Sequence, residues 1–117
     1  MLPKLHRLHQ DQEIKSLTKA GQTFFLPQFI IKYQKNQEKI SKFAFVVSTK
    51  VDKRAVTRNL LKRQMRAVVK DLLPSILPGF SVLIIAKKQA LELDFQAITK
   101  QFVFAFTKAK LYAHKST

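Results

Sequence analysis

Between Lys53 and Lys70 the chain reads KRAVTRNLLKRQMRAVVK, and these are the side chains whose type and spacing could do chemistry. On a helix turning about 100° per residue, Leu61, Met65, Val68, Val69 and Leu72 gather on one arc. Asn59, Lys62, Arg63, Arg66 and Lys70 gather on a neighbouring arc, with Arg58 at the boundary. Guanidinium and ammonium groups repeated along one face bind phosphates. A helix face made only for solubility mixes signs to gain pairs between residues i and i+4. No carboxylate interrupts this stretch before Asp71. It therefore reads as a polyanion-binding helix.

Other chemistry finds little support. The carboxylates Asp11, Glu13, Glu38, Asp52, Asp71, Glu92 and Asp94 are scattered, and none forms a close motif for paired acid–base or two-metal work. Cysteine is absent, so no thiolate nucleophile or ligand exists. His6 and His9 lie near the start and His114 near the end. The His6-x-x-His9 pair has no third ligand and reads as part of a basic tail. With only Gly21 and Gly79, no glycine loop can cradle a phosphate. The expectation is a binder with no catalytic residues and no metal site of its own.

Composition points the same way. The 117 residues carry 22 Lys+Arg against 7 Asp+Glu, a formal charge of +15. That excess repels itself in the free protein and is offset by an anionic partner, nucleic acid first and an acidic membrane surface second. No apolar run approaches the ~20 residues of a membrane span, and MLPKLHRLHQDQ lacks the apolar core of a signal peptide. The expected setting is cytoplasmic, with one domain over residues 1–117 and flexible tails at 1–10 and 113–117.

The elements that must position the basic helix follow from periodicity. Asp11 to Ala20 reads as a short helix capped by Asp11, with Ile14, Leu17 and Thr18 inward and Gly21 as its stop. FFLPQFIIKY, residues 24–33, reads as one strand with an edge or bulge at Pro27. Residues 42–48, KFAFVVS, read as the second strand, with Phe43, Phe45 and Val47 opposite Ala44, Val46 and Ser48. FSVLIIA, residues 80–86, is a strand buried on both faces. Residues 93–111 give a last helix with a core stripe of Phe95, Ile98, Phe102, Phe106 and Ala109. The expected class is α+β, a single small domain in the order α-β-β-α-β-α. The pattern lacks the spacing of a helix-turn-helix or zinc module. A basic helix bordering the Ile30/Lys32/Ala44/Val46/Ser48 face makes a groove with a phosphate-binding rim and an apolar floor, suited to single-stranded RNA.

Taken together, LPKLHRL at the start, Ala20-Gly21 before the first strand, FVVSTK, KRAVTRNLLKR-x-x-R and LIIAKK before an aromatic helix resemble the protein component of bacterial ribonuclease P. The likeness covers nearly the whole chain. Its most specific part is Ala55-Val56-x-Arg58-Asn59-x-x-Lys62-Arg63-x-x-Arg66.

The resemblance implies a subunit of an endoribonuclease in which RNA is the catalyst. Its partners would be ribonuclease P RNA and precursor tRNA, with no membrane and no obligate protein partner. Mg2+ would be held mainly by RNA and substrate. Carried over by position, Lys50, Lys53, Arg54, Arg58, Asn59, Lys62, Arg63 and Arg66 would face RNA. Ile14, Ile30, Lys32, Val46 and Ser48 would line a groove for the 5′ leader. The resemblance also implies a left-handed strand–helix–strand crossover, against the right-handed default. The chain departs from the family at Leu60, where an arginine is usual, and at Thr49, where a lysine is usual. It also departs at Ile14, Thr18 and Lys32, where aromatic residues are common. Those changes predict a leader groove that relies more on charge, with Lys32 on phosphate. The competing readings are a small ribosomal-type RNA-binding protein with a structural role and a cationic DNA- or membrane-binding protein.

Overall fold

The computed structural model describes residues 6–8, 11–36 and 40–111. Helix α1 spans Asp11–Ala20, strands β1, β2 and β3 span Gln22–Phe25, Phe29–Lys35 and Lys42–Val46, and helix α2 spans Ala55–Leu72. Strand β4, Phe80–Ala86, and helix α3, Phe95–Lys108, complete the domain. The strands form one sheet in the order β1-β2-β4-β3. β4 pairs antiparallel with β2 and parallel with β3, so α2 is the crossover between adjacent parallel strands.

One expectation is corrected. Residues 24–33 are not a single strand but most of an antiparallel hairpin, which makes the order α-β-β-β-α-β-α. Pro27 has no amide hydrogen for a ladder. The chain turns there, and the Leu26 amide donates to the Phe29 carbonyl at 2.8 Å. The turn puts Phe25 directly across from Ile30.

The main core lies between one sheet face and helices α2 and α3. Phe29, Ile31, Phe43, Val82 and Ile84 meet Leu61, Met65, Val68, Val69 and Leu72 from α2 and Ile98, Phe102 and Phe106 from α3. The α2 set is the stripe expected from its period. In α3, Phe95 is 38% exposed and stands at the rim. The helix starts there, with the Asp94 carboxylate accepting the Ala97 amide at 2.8 Å. Phe102 sits edge-on to Phe29, ring centroids 4.9 Å apart, and tilted against Phe106 at 5.7 Å.

The opposite sheet face holds a smaller cluster, Leu8, Leu17 and Leu83, flanked by Ile14, Ala44 and Ile85. α1 covers only part of this face. Gly21 ends that helix with its amide on the Leu17 carbonyl at 3.0 Å, where a β-carbon would stand 2.6 Å from the same oxygen. Residues 6–8, within the stretch read as a basic tail, run beside β3: the Leu8 amide donates to the Phe43 carbonyl at 2.7 Å, and His6 Nδ1 lies 2.8 Å from the Ser41 carbonyl. His9, residues 113–117 and the Asp11 side chain lie outside the described set.

Phe102→Ala removes a fully buried ring that no neighbour can replace, and should cost about 3–5 kcal/mol. The same change at rim residue Phe95 should cost well under half of that. Chemical denaturation midpoints of the two variants, compared at equal m-value, check the difference.

Candidate nucleic-acid interface

The buried stripe of α2 sets which of its side chains reach solvent. Asn59, Arg63 and Lys70 are exposed, while Arg58, Lys62 and Arg66 are half-buried. Two apolar side chains, Val56 and Leu60, are also exposed on this helix, at 81% and 55%. Arg66 reaches the edge of the sheet. It lines a cleft of about 290 Å³ together with Leu8, Ile14, Ala44 and Val46. The basic helix therefore borders the α1 face of the sheet, the juxtaposition its sequence position implied.

The loop between β3 and α2 is built from the inside out. Val51 is buried and anchors it in the main core. The Val51 amide donates to the Ser48 carbonyl at 3.0 Å and the Lys50 amide to Ser48 Oγ at 3.3 Å. Lys50 and Lys53 stay exposed, beside Lys88 from the end of β4.

Two of the expected RNA-facing cations make bonds within the chain. Arg54 grips the Asp52 carboxylate through Nε at 3.1 Å and Nη2 at 3.0 Å, and its amide donates to Oδ1 at 2.8 Å. Arg58 Nη1 donates to the carbonyls of Asp52 at 3.1 Å and Lys53 at 2.8 Å. Arg58 thus braces the loop with the same group that would meet a phosphate. The side-chain hydrogen bonds from Arg54, then its amide, then the charges of Arg54 and Arg58 pull the Asp52 carboxyl down from 3.8 to about 2, against some desolvation. Arg54 is raised in turn, chiefly by its hydrogen bond to Asp52. Sequence reasoning counted Asp52 only among scattered acids. Its place two residues before Arg54, the N-cap of α2, is the signal for an Asx turn, in which an aspartate carboxylate accepts the amide two residues on.

The expected groove residues divide. Cross-strand pairing aligns Phe25, Ile30, Ile85 and Val46 in one row, and Thr23, Lys32, Leu83 and Ala44 in the next. Leu83 and Ala44 pack with Leu17 and Ile14, so α1 lies against the second row. The first row stays open: Val46 is 38% exposed and Phe25 70%. Ile14 therefore forms a wall and Ile30 and Val46 the floor. Ser48 follows the floor, and its hydroxyl accepts the Lys50 amide. Lys32 sits beside α1, its Nζ 3.5 Å from the Thr18 carbonyl in the last turn of that helix, where a cation is favoured. Phe25 was missed because the hairpin was read as one strand.

Among the described residues, no three His, Cys, Asp or Glu side chains come together as a metal site. None of the described helices is long and apolar enough to cross a membrane.

Comparison with known proteins fits this geometry. The family model of Ribonuclease P matches residues 2–110. The ribonuclease P protein component of Rippkaea orientalis is 31% identical over 97% of this chain and 94% of its own length. That of Synechococcus elongatus is 36% identical over 87% and 84%. The solved RNase P protein of Staphylococcus aureus superposes with a TM-score of 0.83 at 23% identity, covering 92% of this chain and 97% of that one, a likeness of fold.

Because the folded carboxyl of Asp52 titrates below the ordinary 3.8, its pairing stabilises the loop fully above that pH. The contribution is lost as pH falls through about 2. A carboxyl-carbon NMR titration should give that midpoint, and Arg54→Ala should return it towards 3.8. Asp52→Asn should free Arg54 and steepen the salt dependence of binding to single-stranded RNA by up to ~0.7 unit in log–log slope, read from filter binding.

Proposed function

This chain belongs to the ribonuclease P protein family, and on that premise we propose that it binds ribonuclease P RNA and the 5′ leader of precursor tRNA through two adjoining surfaces. As a ribonuclease P protein component it is a subunit of an endoribonuclease ribonucleoprotein. In the proposed division of labour the RNA subunit cuts precursor tRNA, and the protein, in the cytoplasm, holds the substrate and relieves charge repulsion. The observation that carries this reading is the contact of Arg66 with the cleft beside Ala44 and Val46, which joins the basic helix to an open sheet face.

The RNA-facing set is Lys50, Lys53, Asn59, Lys62, Arg63 and Arg66, with Arg54 and Arg58 both shaping the loop and adding charge. Packing two RNA strands together brings phosphates close, and each cation between them displaces condensed counterions. Asn59 supplies an amide that can donate and accept beside those charges. The leader lies along Ile30 and Val46, walled by Ile14 and edged by Ser48. Lys32, drawn toward the end of α1, presents its charge at the margin of this path.

Mg2+ enters such a reaction as a charge-stabilising ion. The described residues do not fit a protein-held site, so we assign its ligands to RNA and substrate. A protein that lowers phosphate repulsion lowers the concentration of divalent ion needed to reach the same fold.

The decisive assay mixes a bacterial ribonuclease P RNA with precursor tRNA at low Mg2+, with and without this protein. Faster cleavage at the mature 5′ end is the expected result. Tight RNA binding with no gain in cleavage would instead support a ribosomal-type structural role. Replacing Lys62, Arg63 and Arg66 together by alanine should flatten the log–log salt dependence of RNA binding by about two to three units. An unchanged slope would mean these cations do not meet phosphate.

A further inference from the structure

β1 ends on Phe25, whose ring is 70% exposed. A single exposed ring is ordinary, but this one ends a line of apolar side chains. Phe25 stands opposite Ile30, Ile30 opposite Ile85 and Ile85 opposite Val46. With ~4.8 Å between strands, the line crosses the sheet over about 14 Å, on the face that α1 leaves open here. Phe25 carries the only aromatic ring among the described strand residues of that face. The others are Thr23, Ile30, Lys32, Gln34, Lys42, Ala44, Val46, Ser81, Leu83 and Ile85.

Charge selects the occupant. Arg66 stands at the Val46 end of the row, and Lys50 and Lys53 lie on the loop that follows β3. At the other end, Lys87 Nζ donates to the Leu26 carbonyl at 3.0 Å, one residue from Phe25. A second copy of this chain would set +15 against +15, which long-range repulsion disfavours. An unpaired RNA strand brings the opposite charge and flat apolar faces in one molecule.

We propose that Phe25 is the stacking platform for an unpaired base of the 5′ leader, at the end of the groove furthest from the basic helix. The assignment rests on the leader-groove reading above and extends it by one residue. The leader then runs across the strands from Arg66 towards the hairpin. Ile30, Ile85 and Val46 supply the floor and Phe25 the ring. In a groove with Ile14, Thr18 and Lys32 at its α1 side, Phe25 is the one ring for stacking among the described strand residues of this face.

The test uses the reconstituted holoenzyme and two precursor tRNAs, one with a leader long enough to cross all four strands, the other trimmed too short to reach β1. Phe25→Ala should weaken binding of the long-leader substrate by roughly 10-fold, equivalent to about 1.4 kcal/mol, and leave the short-leader substrate and RNA-subunit binding unchanged. Phe25→Trp should retain wild-type affinity. A 2-aminopurine placed in the distal leader should be quenched by the wild type and by the tryptophan variant, and not by the alanine variant. Equal loss on both substrates, or no loss and unchanged quenching with alanine, would overturn the role of Phe25 while leaving the groove. A wild-type holoenzyme that binds both leaders equally would likewise overturn the role of Phe25, and one that binds mature tRNA as tightly as the long-leader precursor would overturn the groove and this proposal together.

Discussion

The rotation of α2 about its own axis is the constraint on which the rest of the molecule depends. Leu61, Met65, Val68, Val69 and Leu72 are all buried, and their burial against the sheet and α3 fixes that rotation. Each apolar side chain removed from water contributes on the order of 1.5–3 kcal/mol. No single cation on the helix could resist that sum by turning the helix to suit itself. Asn59, Arg63, Lys70 and the half-buried Lys62 and Arg66 therefore point where the core leaves them pointing. The binding face is a by-product of packing, and this makes it rigid.

A chain of +15 must still hold those cations close together. At physiological salt the screening length is ~8 Å, so charges on one helix face feel each other. The local remedy is Asp52. Placed just before the helix, it takes a bidentate grip from Arg54, while its carbonyl and that of Lys53 accept from Arg58. One carboxylate thus orders the loop that carries Lys50 and Lys53. Isolated exposed ion pairs contribute little. This one acts together with a backbone hydrogen bond and a buried Val51 anchor, which is why it shapes the loop.

Much of this was legible in the chain. The stripe of α2 follows from its helical period, and the doubly buried β4 from an apolar run too short for a helix and opened by the Pro78-Gly79 turn. The cation face follows from the same wheel, because burial of one arc leaves the other. The hairpin was not legible, because Leu26-Pro27-Gln28 carries none of the Asn-Gly or Gly-X signals of a tight turn. Flanking runs of apolar residues made a bulged strand look equally good. With the turn went the placement of Phe25. Lys32 and Arg58 expose a second limit: a helical wheel or a strand alternation gives the side a residue leaves from. It does not give the carbonyl its long side chain finds, such as Thr18 for Lys32 or Lys53 for Arg58.

The chain path explains why floor and rim meet at all. β3 ends at Val46 on the open row, and Lys50 follows four positions later, a span of at most about 14 Å even when extended. The turn at Ser48 shortens it further. β4 runs parallel to β3 and ends at the same side of the sheet, where Lys87 and Lys88 emerge. A parallel pair therefore delivers two basic segments to one edge. The crossover helix begins within a few residues of that edge and carries its cations back along β3 to Arg66. An antiparallel partner for β3 would have sent the second basic segment to the far side of the sheet. Parallel pairing is intrinsically no stronger than antiparallel. What it contributes here is proximity: an apolar row and the positive charge around it are held together by backbone connections too short to let them part.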